Sequence, residues 1–476
     1  FKEQMEISGK KTVVVGLGKT GISTAAFLKK RGAQVTVSDS SKDENLDDAA
    51  KKLQAIGVHV EIGTHGSLTF QDADLIVLSP GVPHTIEPVA RAAARGAIVT
   101  GEIELASRFI KEPIVAVTGT NGKTTTTTLI GNMLVESGLK VFVGGNIGKP
   151  LIDYIESVNR AEVVVAEISS FQLDTIKTFR PRVSVLLNIT EDHLDRYPGF
   201  EAYVKSKARI FENQKGNDVS IFNASDQYIR KVSGNIKCGK LPFFKDSDSR
   251  DYEEYAKISD ERIIFNLNNT SGFRDYAAVT QTLDAGAKFS LRFSEIHLPG
   301  KHNMENVAAA TLAALSAGGN PIGIRHALNK FRGLPHRIEH VAEINEVKYY
   351  DDSKATTVDS VIKALEVFGK PVVLIMGGRN KGVNFSLLKD AVREHVKKLI
   401  LIGEAKEEIK SALGDIVEAV YAGTMEDAVR LAHDSATAAN IVLLSPACTS
   451  FDMFTSYAHR GEIFCKAVEA LKRNRL

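Results

Sequence analysis

The chain has 476 residues, 43% of them hydrophobic and 25% charged, with a formal net charge of +2. That length allows about three domains of ordinary size, and the near-neutral balance argues against a nucleic-acid surface, so small molecules are the expected partners. Cys238, Cys448 and Cys465 are the only cysteines; widely spaced and odd in number, they speak against a disulfide framework or a zinc site and for a reducing cytoplasm. No apolar run approaches the roughly 18 residues of a membrane span, and Phe1-Lys-Glu-Gln-Met5 does not open like a secretory signal, so no membrane insertion is expected.

The first predicted elements are the strand beginning at Thr12, a glycine turn Gly16-Leu-Gly-Lys-Thr-Gly21, an amphipathic helix to about Arg31, and the strand Val35-Thr-Val-Ser-Asp39. Gly16, Gly18 and Gly21 match the dinucleotide fingerprint, and Asp39 lies 18 residues beyond Gly21, where a carboxylate can accept ribose hydroxyls. The motif is specific for a diphosphate at a helix N-terminus and not for the nucleotide that carries it. A nicotinamide site, another diphosphate ligand and a purely structural turn therefore all stay open. A second buried strand, Ala73 to Ser79, leads into the turn Pro80-Gly-Val-Pro83 at its carboxyl end.

After Gly101-Glu-Ile-Glu-Leu105 comes the stretch Ile114-Val-Ala-Val-Thr-Gly-Thr-Asn-Gly-Lys-Thr-Thr-Thr-Thr-Thr128. It reads as a strand, a phosphate-cradling loop and a helix start. Gly119, Thr120, Asn121 and Gly122 supply backbone amides, Lys123 a cation for the β- and γ-phosphates, and Thr124, followed by Thr125, a hydroxyl for Mg²⁺. The general spacing wants a glycine at position 117, which is Val117 here. Further strands are predicted at Lys140–Val143, Val163–Ile168 and Val183–Ile189, alternating with helices as in a parallel sheet covered on both faces. Each ends in polar residues: Gly144-Gly-Asn-Ile-Gly-Lys-Pro150, Glu167-Ile-Ser-Ser-Phe-Gln172, and Asn188-Ile-Thr-Glu-Asp-His-Leu-Asp195. Thr124, Glu167 and His193 are candidate metal-shell residues, although a histidine in an acidic turn also reads as a solvated or capping residue. Lys207 reads as a solvated lysine on a basic helix face.

From about Ser233 to Phe293 short strands such as Arg262–Phe265 and Lys288–Phe293 suggest a small antiparallel appendage. Leu298-Pro-Gly-Lys-His-Asn-Met-Glu-Asn306 then opens an alanine-rich helix. Asn303 and Asn306 share one face of its first turn, where nucleotide-base contacts compete with capping. Beyond Arg337 the alternation resumes with strands at Val347–Tyr350, Val372–Met376, Lys398–Ile402 and Ile441–Leu444. Their carboxyl ends carry Asp351-Asp-Ser-Lys354, Gly377-Gly-Arg-Asn-Lys-Gly382 and Ser445-Pro-Ala-Cys-Thr-Ser450. The expected fold is α/β in three domains: a Rossmann-like domain at 1–102, a P-loop parallel sheet with the antiparallel appendage at 103–333, and a second Rossmann-like domain at 334–476.

Taken together, Gly119-Thr-Asn-Gly-Lys-Thr124, Glu167, Asn188-Ile-Thr-Glu-Asp-His193, Gly300-Lys-His-Asn303 and Leu334-Pro-His-Arg337 resemble the Mur ligase superfamily. Gly16 to Gly21, Ser79-Pro-Gly-Val82, Asp352-Ser-Lys-Ala-Thr356 and Ser445 to Asp452 extend the resemblance over nearly the whole chain. They point to the branch that uses ATP to add D-glutamate to UDP-N-acetylmuramoyl-L-alanine through an acyl phosphate, an acid-amino-acid ligation in peptidoglycan precursor synthesis. With the resemblance, Val117 becomes part of the signature.

The resemblance implies that Gly18, Lys19, Thr20, Asp39 and Gly81 meet UDP, that Asn146 and Ser169 lie near the substrate, and that Lys123, Asn303, Asn306, Arg337 and Asp352 serve ATP. It makes Lys123, His193 and Lys207 the catalytic set and implies two Mg²⁺ ions held by Thr124, Glu167, His193 and a carbamylated Lys207. A dicarboxylic amino acid needs cations and hydroxyls, a set that Lys354, Thr356, Lys381 and Ser450 can supply, although on sequence alone either lysine also reads as a solvated loop residue; the resemblance adds the Phe451 backbone and the Tyr457 ring. Two departures stand out: Lys19 where the turn can hold an apolar residue, and Thr357 where an asparagine is expected. A monomer is expected, with the third domain closing about a hinge near 333–335 to keep water from the acyl phosphate.

Overall fold

Short β-branched runs broken by glycine turns build three sheets in the computed structural model, which describes residues 5–41, 46–193, 196–248, 252–267, 289–369 and 371–473. The expectations that touch Leu194, Asp195 and residues 268–288 lie outside the described residues. The chain forms two compact units. One draws on Phe1–Ile189, Tyr203–Arg292 and Asn306–Leu328, the other on Thr190–Ala202, Phe293–Glu305 and Asn329–Leu476.

The first unit holds two of the sheets. In one, β1 (Lys11–Val15), β2 (Gln34–Asp39), β3 (His59–Ile62), β4 (Leu75–Leu78) and β5 (Ile98–Gly101) run parallel in the order β3-β2-β1-β4-β5. The other contains β6 (Ile114–Thr118), β7 (Val141–Gly145), β8 (Val163–Glu167), β9 (Val183–Leu186), β10 (Val219–Asn223), β11 (Gly239–Lys245), β12 (Tyr255–Ile258), β13 (Arg262–Asn266) and β14 (Phe289–Arg292). Its order is β14-β13-β12-β11-β10-β9-β6-β8-β7. Every residue of β6 and β8 is buried, which is why these strands read as apolar runs rather than alternating ones; β10 is equally buried but carries Ser220 and Asn223. The expected antiparallel appendage is the outer edge of this same sheet. β11 and β12 still continue it in parallel, and only β12-β13-β14 turn antiparallel.

The second unit has one sheet: β15 (Glu339–Ile344), β16 (Val347–Asp351), β17 (Val372–Gly377), β18 (Val396–Ile402), β19 (Ala419–Tyr421) and β20 (Ile441–Leu444), in the order β15-β16-β20-β17-β18-β19. Only the β15 edge is antiparallel. All carboxyl ends of the parallel strands therefore point one way and carry the polar loops found in the sequence.

The helix Glu102–Ser107 is buried at every position and shares one core with Val14 and Leu28 on one side and Leu151, Tyr154 and Leu173 on the other. It joins the first two sheets, and a buried carboxylate holds it in place. Glu104 Oε2 accepts the amides of Lys177 (2.9 Å), Thr178 (2.9 Å) and Phe179 (2.7 Å). Its Oε1 accepts the Thr178 hydroxyl at 2.6 Å and the Arg108 guanidinium at 3.0 Å. Burial alone would raise this carboxyl, but these hydrogen bonds outweigh it and hold the pKa below the ordinary 4.5. Glu102 is the opposite case. It accepts one amide, from Ile152 at 2.7 Å, and burial pushes it up to about 7.

Glu104→Ala should therefore lower stability by about 3 kcal/mol in urea unfolding at pH 7, because three amides, that of Phe179 buried, and Arg108 lose their acceptor. A depressed carboxyl contributes stability that is present above its unfolded pKa and lost as pH falls through its folded one, so the gap between wild type and variant should narrow below about pH 4. A difference under about 1 kcal/mol at pH 7 would refute the anchor.

Candidate functional site

β6 ends at Thr118, and the chain must leave the sheet and begin a helix within four residues. Gly119 (φ 154°) and Gly122 (φ 82°) make that reversal in backbone regions that side chains disfavour. Gly122 carries a second constraint, since a Cβ there would fall 2.2 Å from Asn306 Oδ1. As N-cap of the helix Lys123–Glu136 it offers no capping side chain, so the helix dipole and first amides present an anion site. Asn188, at the end of β9, braces the loop: its carbonyl accepts Thr120 N (2.9 Å), its Oδ1 accepts Asn121 N (2.8 Å), and its Nδ2 donates to Asn121 O (3.1 Å). Sequence reasoning quoted Asn188 only as part of a motif and gave it no task.

Two lysines converge on one carbonyl of this loop. Lys123 Nζ donates to Gly119 O (2.9 Å) and Thr120 O (2.7 Å), and Lys207 Nζ donates to the same Gly119 O at 2.8 Å. Lys207 is 1% exposed and lies 4.6 Å from the centre of the Tyr203 ring, whose hydroxyl meets Thr120 Oγ1 at 3.2 Å. The solvated reading of Lys207 is thus wrong: the side chain points inward from the helix Phe200–Ala208. Thr124 is half-buried and Thr125 buried in the first turn after the loop.

Glu167, the last residue of β8, is 2% exposed. Asn146 binds it twice, through Nδ2 to Oε1 (2.9 Å) and through its amide to the Glu167 carbonyl (2.8 Å). Glu167 Oε2 is buried and has no hydrogen-bond partner among the described residues. A lone buried carboxylate oxygen is costly unless something outside the chain meets it, and a hard cation is the fitting group. Ser169 instead caps the helix Ser170–Leu173 in a capping box with Gln172.

At the first glycine turn, Gly16 has φ 99°, and a Cβ on Gly21 would lie 1.8 Å from Gly16 O, so this helix can approach only with glycine there. Gly18 is the N-cap of the helix Lys19–Lys30, with Thr20 in its first turn, and Gly81 (φ 105°) lies in the turn after β4. Asp39 accepts the amides of Leu17 (2.7 Å) and Ser41 (2.8 Å), so it shapes the turn besides any ligand it meets. Lys19 Nζ donates to Gly148 O at 2.6 Å, tying this turn to the loop that carries Asn146.

The second unit gathers its own set. Asp352 is buried; its Oδ2 accepts Ser445 Oγ at 2.8 Å, and burial pushes it up to about 7 against the opposing pull of that hydrogen bond and of Arg337. Burial, then Lys363 and Arg337, lower His302 to about 4 and leave it neutral beside Asn303, whose Nδ2 donates to Pro299 O at 2.6 Å. Asn306, further along the same helix, is instead the residue that meets Gly122 and Thr126 in the first unit. His193 adopts φ 55°, its amide bonded to Asp192 Oδ1 at 2.9 Å.

Lys354 Nζ stands 5.0 Å from the centre of the Tyr457 ring, and Thr356 follows in the same loop, its amide bonded to Lys354 O at 3.0 Å. Thr357 caps the helix Val358–Leu365, a task asparagine also performs, which accounts for that departure. The loop of Lys381 is braced by Arg379, paired with Glu404 at 2.9 Å, and by Asn380, which accepts Val383 N at 2.9 Å. Ser450 is buried, Phe451 beside it 65% exposed, and Arg460, which sequence reasoning passed over, is fully buried beneath these loops.

Residues 10–101 match the MurD-like N-terminal domain of Mur ligases, 117–314 the Mur ligase middle domain, and 336–448 the Mur ligase glutamate ligase domain. The chain is 48% identical to the UDP-N-acetylmuramoylalanine--D-glutamate ligase of Desulfosudis oleivorans, over 98% of each chain. It is 49% identical to that of Desulfatibacillum aliphaticivorans, over 98% of this chain and 100% of the other. Among solved structures it shares its fold with a MurF ligase of Thermotoga maritima in complex with ADP (TM-score 0.59, 17% identity, 100% and 98% covered) and a pseudomurein peptide ligase type C of Methanothermus fervidus (0.57, 20%, 97% and 100%). With three matched domains in order and near full-length relatives at 48 and 49% identity, this chain belongs to the Mur ligase family.

Proposed function

We propose that this chain is the ATP-dependent ligase that joins D-glutamate to UDP-N-acetylmuramoyl-L-alanine in peptidoglycan precursor synthesis. The observation that carries the reading is its near full-length identity with ligases of that name, on a fold whose phosphate loop holds two lysines at one carbonyl. Division at 102 and 333 into three functional domains is supported by the three sheets and by the matched segments.

The turn Gly16–Gly21, with Lys19, Asp39 and Gly81, takes the UDP diphosphate. The substrate carboxylate attacks the γ-phosphate of ATP, which lies on the amides of Gly119 to Thr125 with Lys123 offsetting charge at the transferring group; the β–γ bond breaks, ADP leaves and an acyl phosphate remains. Asn303, Asn306, Arg337 and Asp352 serve the rest of the nucleotide. The amine of D-glutamate, its carboxylates met by Lys354, Thr356, Lys381 and Ser450, then attacks the acyl phosphate and phosphate leaves.

Mg²⁺ fits the free Glu167 oxygen and the Thr124 hydroxyl, and when bound would neutralise phosphate charge. Carbamylation would turn Lys207 from a buried cation into an oxygen ligand, and burial with Lys123 at the same carbonyl favours loss of the ammonium charge. His193 keeps the metal role that the family resemblance assigns. A monomer acting in the cytoplasm is part of the same reading, in keeping with ATP and a UDP-linked substrate.

Phosphate release from ATP with UDP-N-acetylmuramoyl-L-alanine should depend on D-glutamate and not on L-glutamate, diaminopimelate or L-alanine. Release without an acceptor, or with another acceptor, would overturn the assignment. Lys207→Ala should lose activity by about two orders of magnitude or more and regain part of it in millimolar formate or acetate, whose carboxylate replaces the carbamate. Full activity without rescue agent would remove Lys207 from the mechanism.

A further inference from the structure

Arg460 lies in the first turns of the helix Tyr457–Arg473 and is 0% exposed. None of the described carboxylates reaches its guanidinium at hydrogen-bond distance. Nη1 donates to Gly377 O (3.4 Å) and Thr449 O (3.2 Å), and Nη2 to Ser353 O (2.9 Å) and Cys448 O (3.0 Å). These four carbonyls belong to the three loops that follow β16, β17 and β20, the loops that carry Lys354, Lys381 and Ser450.

The approach is possible because the next residue is Gly461. A Cβ there would lie 2.3 Å from His336 Nδ1, 2.4 Å from Asp351 Oδ2 and 2.5 Å from Ser353 Oγ. The helix therefore seats directly on the loop bases, and only the planar fork of arginine can serve four acceptors at once. Burying a guanidinium without a paired carboxylate is costly, and an apolar side chain of the same size would usually serve stability as well. Burial lowers Arg460 to about 10, so it stays cationic at neutral pH.

We propose that Arg460 is a positioning residue for the acceptor amino acid, fixing the spacing of the three loops that carry Lys354, Lys381 and Ser450. The inference rests on the reading that Lys354, Lys381 and Ser450 hold D-glutamate. Arg460 touches no substrate; it acts through the loop backbones.

The test uses full-length Arg460→Lys and Arg460→Met, with Lys381→Ala and Ser450→Ala as references. Acyl phosphate formation without D-glutamate, trapped by borohydride reduction, should stay within about threefold of wild type, while KM for D-glutamate rises at least about tenfold in Met and less in Lys. The KM values for ATP and the UDP substrate should not move. An unchanged KM for D-glutamate in a folded Arg460→Met, or equal loss of acyl phosphate formation, would overturn the inference. If Lys381→Ala and Ser450→Ala also leave that KM unchanged, the acceptor-site reading itself falls. Should neither Arg460 variant fold, hydrogen exchange on the unmodified protein decides: D-glutamate must slow amides in 353–356, 377–382 and 448–451 together, and a response confined to one loop would refute the coupling.

Discussion

The carbonyl of Gly119 is the point on which the first unit's chemistry turns. Its glycine conformation turns the carbonyl toward Lys123 and Lys207, which both donate to it. Everything around serves to hold that carbonyl still: β6 buried in mid-sheet, Asn188 gripping the next two residues, and Tyr203 reaching Thr120 while its ring lies against Lys207. Two ammonium groups share this carbonyl, with Thr120 O a further acceptor for Lys123. In the proposed reaction each cation has a better fate, Lys123 against a transferring phosphoryl group and Lys207 as a carbamate, so the geometry is that of a site waiting for anions.

What could be read from the residues divides along a physical line. Central parallel strands were legible because burial on both faces leaves unbroken apolar runs, as in β6, β8, β17 and β20, and the glycines at 16, 21, 119 and 122 were legible because close approach or positive φ leaves no other residue. Edge strands were not: β3, β15 and β19 are half-exposed and short, and carry no periodic signal. The antiparallel edge was legible as an appendage of the central domain, but sequence shows local pairing and not which sheet a strand joins. Among site residues, Glu167 and the phosphate loop followed from chemistry. Lys207 did not, since its neighbours Lys205 and Arg209 make that helix look solvated.

The hardest residues to read were the buried charges satisfied by backbone. Glu104 gathers three amides from one turn, and Arg460 serves four carbonyls from three loops. A salt bridge at least requires an opposite charge somewhere in the chain. A charge held by peptide groups requires only geometry, and every residue supplies the same peptide group, so nothing in composition or spacing marks the partner.

The same property explains what such charges are suited to do. A carboxylate or guanidinium that binds side chains couples two residues, whereas one that binds backbone fixes the path of whole loops and leaves their side chains free to face a ligand. Glu104 uses this to join two sheets through the helix Glu102–Ser107, where both oxygens are satisfied and the gain is structural. Arg460 uses it beneath the loops that carry Lys354, Lys381 and Ser450, so that their backbones are held from below by one side chain. The difference between the two buried charges is therefore in what they hold: Glu104 fixes one turn, and Arg460 ties three loops together. Glu104 also pairs with Arg108 at 3.0 Å, whereas Arg460 hydrogen-bonds carbonyls alone, with Asp452 and Asp351 acting on it from further off.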